Sequence, residues 1–125
     1  MGHAARVKHK LTVILPWPGR VLWPNNRAHW RSKATVARAA RAEGYYLTPP
    51  SPGWDWGETS EIAVTYVVHP PSKRKFDSDG IESALKPYRD GVCDRLAIDD
   101  ARLWPVLKKK STVVKGGAVH MTLEQ

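Results

Sequence analysis

Apolar residues in the middle of this chain follow two different periods, one after the other. In the stretch EIAVTYVVH, residues 61–69, they first alternate with other residues and then become continuous, which is typical of a strand near the centre of a sheet. Over residues 79–92, Ile81, Leu85 and Tyr88 recur at helical spacing. A strand followed by an amphipathic helix predicts a domain in which helices pack against a sheet.

Prolines and capping residues set the expected limits of the other elements. Residues 10–15 are short and rich in β-branched side chains, which predicts a first strand. A helix is expected over residues 27–47, capped by Asn25 or Asn26. In the second helix, Pro87 predicts a kink or an interruption, because proline removes a backbone donor.

Two more strands are expected in the stretches RLWPVLKKKST and GGAVHMTLE, joined as a hairpin around residues 115–117. Pro105 predicts that the first of them lies at a sheet edge or is interrupted. The order strand, helix, strand, helix, strand, strand predicts a single α/β domain, of the α+β type, over residues 1–125. Its mixed sheet has about four strands and carries two main helices. Residues 1–9 are expected to be flexible and residues 48–59 to form a loop.

The composition excludes membrane-spanning chains and disulfide-stapled ones. No apolar run approaches the roughly 18 residues that a membrane helix requires. The basic start of the chain is followed only by the short run LTVIL, so a cleaved secretory signal is not expected. The lone Cys93 can form neither an intramolecular disulfide nor a cysteine zinc site. These features predict a cytoplasmic protein that does not bind membranes.

Acidic residues are concentrated in one part of a basic chain. The net charge is +8, yet residues 77–100 hold seven of the twelve acidic residues and only three basic ones. A basic body attracts phosphates, whereas an acidic focus repels them unless a cation is bound there. The distribution is what a protein that acts on a polyanion with the help of a metal ion needs, but composition alone slightly favours the alternative, and the motifs must decide. The alternative is that the acids pair with nearby Lys and Arg on a helix surface.

Two carboxylates flank Ser78 where the second helix is expected to begin. Asp77 and Asp79 can converge there on one hard cation, because Mg²⁺ prefers oxygen ligands and keeps several waters. Asp99 and Asp100 are expected to open the following strand, and a mixed sheet would return a third carboxylate to the same place. The alternative is a helix cap surrounded by solvated acids.

A calcium-binding loop is excluded, although DSDG resembles part of one. If Gly80 took the turn position of such a loop, the first and last ligand positions would fall on Lys75 and Lys86, which cannot bind calcium. Lys86 instead lies two helical turns after Asp79 on the same face. There it would stabilise the charge that develops on a phosphate, and the alternative is a surface ion pair with Asp90.

Three basic clusters are expected to hold the phosphates of a nucleic acid, the alternative being solvated surface charge. They lie on the first helix, just before the acidic stretch and on the third strand: Arg27, Arg31 and Arg38; Lys73, Arg74 and Lys75; and Lys108, Lys109 and Lys110. Trp54 and Trp56 are expected to pack within their loop, with base stacking as the alternative. Core, dimer or sheet-edge packing is expected for the remaining tryptophans: Trp17, Trp23, Trp30 and Trp104.

Four stretches, in this order and spacing, resemble the RusA family of Holliday junction resolvases, which are often found in phages and prophages. They are PWPGRVLWPNNRAHWRSKATVARAAR, FDSDGIESALKPYRDGV, LAIDDARLWPV and VVKGGAVHMTLE. The resemblance covers most of the chain. It implies a homodimeric endonuclease that depends on Mg²⁺, or on Mn²⁺ in its place. Such an enzyme nicks two strands of a four-way DNA junction symmetrically.

The resemblance also implies roles for individual residues. The implied metal ligands are Asp77, Asp79, Asp100 and, beside it, Asp99. Lys86 matches the form of the family in which a Leu-Lys-Pro precedes an Asp-Gly, and is the implied catalytic lysine. The family more often has its lysine where this chain has Ser83, and an asparagine where it has Gly80. Two alternatives remain: a DNA-junction-binding protein of this fold with little or no catalysis, and a nuclease of other branched DNA.

Overall fold

The computed structural model describes residues 9–50, 56–57 and 60–125. It confirms the α+β class, the single four-stranded mixed sheet and the order of the main elements. The strands and helices are β1 (Lys10–Pro16), α1 (Trp30–Leu47), β2 (Ile62–His69), α2 (Ser78–Leu96), β3 (Leu103–Lys110) and β4 (Ala118–Glu124). None of the described helices is long and apolar enough to cross a membrane. The described residues of the predicted 48–59 loop lie outside helices and strands, and the rest of that loop and residues 1–8 lie outside the described residues.

The strands lie in the order β1-β4-β2-β3. β4 pairs antiparallel with both β1 and β2, and β3 pairs parallel with β2. β2 therefore lies inside the sheet, as its continuous apolar run predicts. β3 is an edge strand, and its register with β2 shifts between Ile62 and Val64, next to Pro105. The prediction for Pro105 is confirmed, because an edge strand loses little from a residue without an N–H.

The predicted hairpin between the last two strands is wrong, because β2 lies between β3 and β4. Residues 111–117 instead cross the end of β2. Along this path the N–H of Ser111 donates to Val68 O at 2.8 Å and the N–H of Val114 donates to Pro70 O at 3.0 Å. The glycine turn forms as expected, with φ of +78° at Gly116 and +73° at Gly117. The two glycines determine that the chain turns here, but they do not determine which strand the following segment pairs with.

The first helix begins three residues later than predicted, and neither asparagine caps it. His29 is the N-cap, and its Nδ1 accepts a hydrogen bond from the N–H of Arg31 at 3.1 Å. Asn26 acts one turn earlier, where its Oδ1 accepts from the N–H of Ala28 at 2.8 Å. The capping prediction is wrong because the asparagine side chain stabilises the preceding turn. Arg27 consequently lies before α1.

The second helix runs unbroken from Ser78 to Leu96, so the interruption predicted at Pro87 is absent. A proline inside a helix costs about 3 kcal/mol. Burial of apolar side chains on both sides of Pro87 offsets this cost, since Leu85 is fully buried before it and Val92 after it. The same side chains hold α2 against alternate residues of the sheet, which form one apolar core.

The two helices approach each other at glycines. A Cβ atom on Gly91 of α2 would lie 1.9 Å from Arg41 O of α1, and one on Gly44 would lie 2.2 Å from Tyr88 O. At the outer edge of this contact, Arg41 binds both carboxylate oxygens of Asp94, at 2.6 and 2.8 Å. This guanidinium holds the pKa of Asp94 below its usual range.

Candidate active site

The two carboxylates that flank Ser78 lie in the first turn of α2. Asp77 is the N-cap of the helix, and its Oδ1 accepts a hydrogen bond from the N–H of Asp79 at 3.3 Å. Both residues are exposed, and the side chain of Asp79 is 97% accessible. Asp77 thus serves as the helix cap that the sequence offered as an alternative. Capping uses only one oxygen of Asp77, and the carboxylate of Asp79 faces solvent.

Asp99 and Asp100 do not open β3, which corrects the sequence expectation. Asp99 accepts a hydrogen bond from the N–H of Ala101 at 3.0 Å and caps a short 3-10 helix, Asp100–Arg102. β3 begins only at Leu103. The Asp99 side chain favours this turn over an extended backbone, because an aspartate can bind the N–H two residues ahead.

Lys86 and Asp100 lie together beside the second half of α2. Lys86 Nζ is 3.3 Å from Asp100 Oδ2 and also 3.3 Å from Asp90 Oδ1. Arg89 Nη2 is 3.9 Å from the same Asp100 oxygen. The structure therefore joins two of the predicted site residues, and it also forms the Lys86–Asp90 ion pair that was the alternative reading.

Lys108 of β3 reaches the first turn of α2. Its Nζ is 2.8 Å from Glu82 Oε2, 3.2 Å from Ser78 O and 3.9 Å from Asp79 Oδ1. Glu82 was not among the predicted site residues, although its position three residues after Asp79 places it on the same helix face. Lys108 therefore lies close to two acidic side chains of α2, Asp79 and Glu82. The register of β3 against β2 places it there.

The predicted carboxylates occupy two places along α2. The aspartate pair lies at its start, whereas Asp100 lies beside Lys86, about 10 Å further along the helix axis. In the described part of the chain, no three His, Cys, Asp or Glu side chains are grouped closely enough to hold a metal ion. The exposed pair Asp77 and Asp79 is a donor set that suits Mg²⁺, which binds through one or two carboxylates together with water and phosphate oxygens.

A largely covered arginine, Arg89, lies beside the charged face. The side chain of Arg89 is 15% exposed and its charge acts on the hydroxyl of Tyr66, which is itself buried. Burial raises the pKa of Tyr66 to about 12. Arg89 Nε has no hydrogen-bond partner among the described residues. Sequence reasoning missed Arg89, because nothing in the helical pattern indicates that a cation turns toward the sheet.

Cys93 gives a direct check on this buried side of α2. Burial, and then the charge of Asp100, raise the pKa of its thiol to about 12. We expect the native protein to react with a thiol reagent at pH 8 at least about a hundredfold more slowly than the unfolded chain, because the thiolate is the reactive form. Colorimetric thiol titration with and without denaturant measures the ratio, and the sequence has only this one cysteine. Equal rates would contradict the placement of Cys93 against the sheet.

Two of the three predicted basic clusters lie at the start of α2. Residues 73–75 form the exposed loop before it, and Lys108–Lys110 end the neighbouring strand β3. Nζ of Lys110 lies 5.5 Å from the ring centre of Phe76, which links the two clusters. They surround the exposed pair Asp77 and Asp79 with positive charge.

The three arginines of the remaining cluster, Arg27, Arg31 and Arg38, lie in different places. Arg31 lies over the ring of Trp30 at 5.3 Å, on the exposed start of α1. Arg38 lines a cavity of about 320 Å³ between the two helices, together with Lys86 and Asp90. Arg38 therefore shares a groove with the predicted catalytic lysine, and Arg27 lies in the segment before α1.

The tryptophans differ in exposure. Trp56 is buried and belongs to the main apolar core rather than to its loop alone, and Trp54 lies outside the described residues. Trp30 and Trp104 are largely exposed. Trp17 and Trp23 are half-buried and pack against Phe76 beside the start of α2.

Comparison with known proteins adds a relative without a stated function. No family model matches the sequence. The chain is 33% identical over 101 residues to a protein of Xylella fastidiosa (strain Temecula1 / ATCC 700964) that is described only as uncharacterized. The match covers 78% of this chain and 65% of the relative, so the chain spans less than two thirds of that protein's length.

Proposed function

We propose that this protein is a metal-dependent endonuclease that resolves four-way DNA junctions by paired, symmetrical nicks. The observation that carries the proposal is the exposed pair Asp77 and Asp79, which lies at the start of α2 between two lysine clusters. Carboxylates in the middle of a phosphate-attracting surface would hinder binding unless a cation joins them to the substrate. The order of motifs that resembles the RusA family supports the same reaction.

The chain's own residues have distinct parts in this proposal. Asp77 and Asp79 would hold Mg²⁺ or Mn²⁺, which supplies an activated water and neutralises charge on the scissile phosphate. Lys108 lies 3.9 Å from Asp79 and would donate to the same phosphate. Lys86 would exchange its partners Asp90 and Asp100 for a phosphate oxygen further along the DNA strand. Arg38 lines the same groove as Lys86.

Paired nicks require two copies of the site. A four-way junction has two-fold symmetry, and one chain offers one exposed aspartate pair. We therefore propose a homodimer that acts in the cytoplasm of a bacterial or phage-infected host cell. Sedimentation of the purified protein alone and with junction DNA would measure the number of chains bound.

The deciding experiment incubates the purified protein with a labelled synthetic four-way junction, with Mg²⁺, Mn²⁺ or a chelator. Paired nicks at symmetrical positions that require the metal would support the resolvase. Linear duplex and flap substrates serve as controls, because equal cutting of a flap would favour the nuclease of other branched DNA.

A DNA-junction-binding protein without efficient catalysis is the second candidate. The placement of Asp100 favours it, since this carboxylate contacts Lys86 and Arg89 and does not join Asp77 and Asp79 in one metal site. Ser83 and Gly80 are also departures from the pattern of the resembling family. Junction binding without any nick in Mg²⁺ or Mn²⁺ would support this candidate over the nuclease.

Electrostatic contact with DNA can be measured without cleavage. Lys75→Ala is expected to weaken binding and to reduce the slope of log K against log salt by about 1, because one phosphate contact is lost. Lys10→Ala is the matched control, since Lys10 is exposed at the opposite end of the sheet and its loss should leave the slope unchanged. Identical slopes for wild type and Lys75→Ala would contradict the proposed contact.

A further inference from the structure

An aromatic cavity of about 810 Å³ adjoins Asp77. Its walls come from the segment after β1 and from the loop between β2 and α2, and they include the rings of Trp17, Trp23 and Phe76. The volume lies in the range of cavities that bind small molecules. The cavity is distinct from the groove that contains Lys86.

The three rings are held in fixed positions. Phe76 packs edge-on against Trp17, with ring centres 5.3 Å apart and an angle of 85° between the planes. Trp23 lies 5.8 Å from Trp17, and its Nε1 donates a hydrogen bond to Pro18 O at 3.1 Å. A polar anchor of this kind fixes the orientation of an indole that would otherwise rotate into the cavity.

Glycines let these rings approach the backbone. A Cβ atom on Gly80 would lie 3.2 Å from Trp23 Cε3, so the indole rests directly on the first turn of α2. A Cβ atom on Gly117 would lie 2.8 Å from Trp17 Cβ. Gly80 stands where the resembling family more often has an asparagine. Its lack of a side chain leaves room for the ring of Trp23 beside Asp77.

Positive charge surrounds the aromatic walls. Arg20, Arg74 and Lys75 line the same cavity, and none of the three forms an ion pair within the described part of the chain. A second cavity of about 310 Å³ shares Lys75 and Phe76 with the first and is lined by Lys108–Lys110. Phe76 thus stands between an aromatic cavity and a lysine-lined one.

We propose that the aromatic cavity receives an unpaired nucleobase of the DNA strand, while the cations hold the phosphates on either side of it. Flat apolar walls suit the face of a base, and the flanking charge suits the two phosphates that every internal nucleotide carries. An apolar peptide would leave the cations without partners. A paired base would not reach the rings, because it is stacked inside the duplex.

This proposal rests on the DNA substrate proposed above and deepens it. A base that leaves its pair at a branch point would place the adjoining phosphate beside Asp77 and Asp79. The cavity would then favour branched DNA over intact duplex, since only branched DNA offers an unpaired base at little cost.

The test compares two single-stranded oligonucleotides of equal length and charge in the presence of chelator. One carries ordinary thymine bases and the other is abasic throughout. We expect wild-type protein to bind the thymine strand about tenfold more tightly, because stacking of a base on an aromatic side chain contributes to affinity. Equal binding would overturn the proposal, and this comparison needs no variant that could misfold.

A matched pair of variants locates the preference. Phe76→Leu is expected to lose most of the preference for thymine while binding the abasic strand as wild type does. Trp104→Leu is the control, because Trp104 is exposed on β3 and does not line the cavity. A preference retained in Phe76→Leu would overturn the assignment of the cavity.

The two proposals fail in different ways. Absence of nicking together with a retained thymine preference would refute the nuclease and leave the base-binding cavity standing. Nicking of the junction together with equal binding of the two oligonucleotides would refute the cavity and leave the nuclease standing.

Discussion

Asp79→Asn should lower the rate of junction nicking by at least about a hundredfold and leave junction binding unchanged or tighter. The carboxylate of Asp79 is almost fully exposed and caps no helix, so its loss removes a proposed metal ligand without disturbing the fold. Binding is expected to persist or improve, because a negative charge leaves a surface that attracts phosphates. Gel analysis of nicked strands and a filter-binding titration measure the two effects on the same junction.

Asp79 is a better target than its neighbour. Asp77 also caps α2, so its substitution would combine a loss of metal binding with a loss of stability. Glu43→Gln removes the same charge from the exposed surface of α1 and serves as the control. Nicking by Asp79→Asn at the rate of Glu43→Gln would refute the proposed metal site.

Gly91→Ala should destabilise the fold by about 3 kcal/mol or more, lowering the melting temperature by roughly 10 °C. The added methyl would lie 1.9 Å from Arg41 O and 2.7 Å from Tyr45 N, and backbone atoms of a helix cannot move aside independently. Alanine would otherwise favour a helix over glycine by about 1 kcal/mol, so a loss of stability must come from the contact between α1 and α2. Thermal unfolding followed by circular dichroism gives the measurement.

Gly19→Ala is the matched control for this substitution. Its φ is −64°, and no atom lies within 4 Å of the added methyl, so alanine fits without strain. We expect its stability to be equal to or slightly above that of the wild type, because alanine restricts the unfolded chain. A Gly91→Ala protein as stable as Gly19→Ala would mean that the helices do not pack as closely as described.

The elements of this fold are readable from the sequence, whereas the pairing of its strands is not. Hydrophobic period alone predicts β2 as a central strand and the apolar face of α2, because both patterns reflect burial. The partner of β3 depends on which exposed edge the folded sheet offers, and no local signal carries that information. The glycine turn at Gly116 was therefore predicted correctly, while the hairpin built on it was wrong.

The candidate site shows the same difference between local features, which the sequence predicts, and contacts between distant elements, which it does not. The position of Asp77 at a helix start follows from a capping residue directly before an amphipathic segment, which is a local signal. The contact of Lys108 with Glu82 depends on the parallel register of β3 with β2, and the position of Arg89 depends on the buried Tyr66 of β2. Both arise between elements that are distant in sequence. Sequence reasoning could nominate the charged residues, but it could not say which of them meet.

The order β1-β4-β2-β3 also has a consequence for how the chain assembles during synthesis. β4 is the last of the four described strands in the sequence, yet it is the strand that joins β1 to β2, and Lys10 pairs with Glu124. β1 therefore waits unpaired until nearly the whole described chain has been made, while β2, α2 and β3 can already associate. Contacts this distant in sequence slow folding. The nascent chain must keep an apolar strand, with Leu11, Val13 and Leu15 on one face, from pairing elsewhere in the meantime.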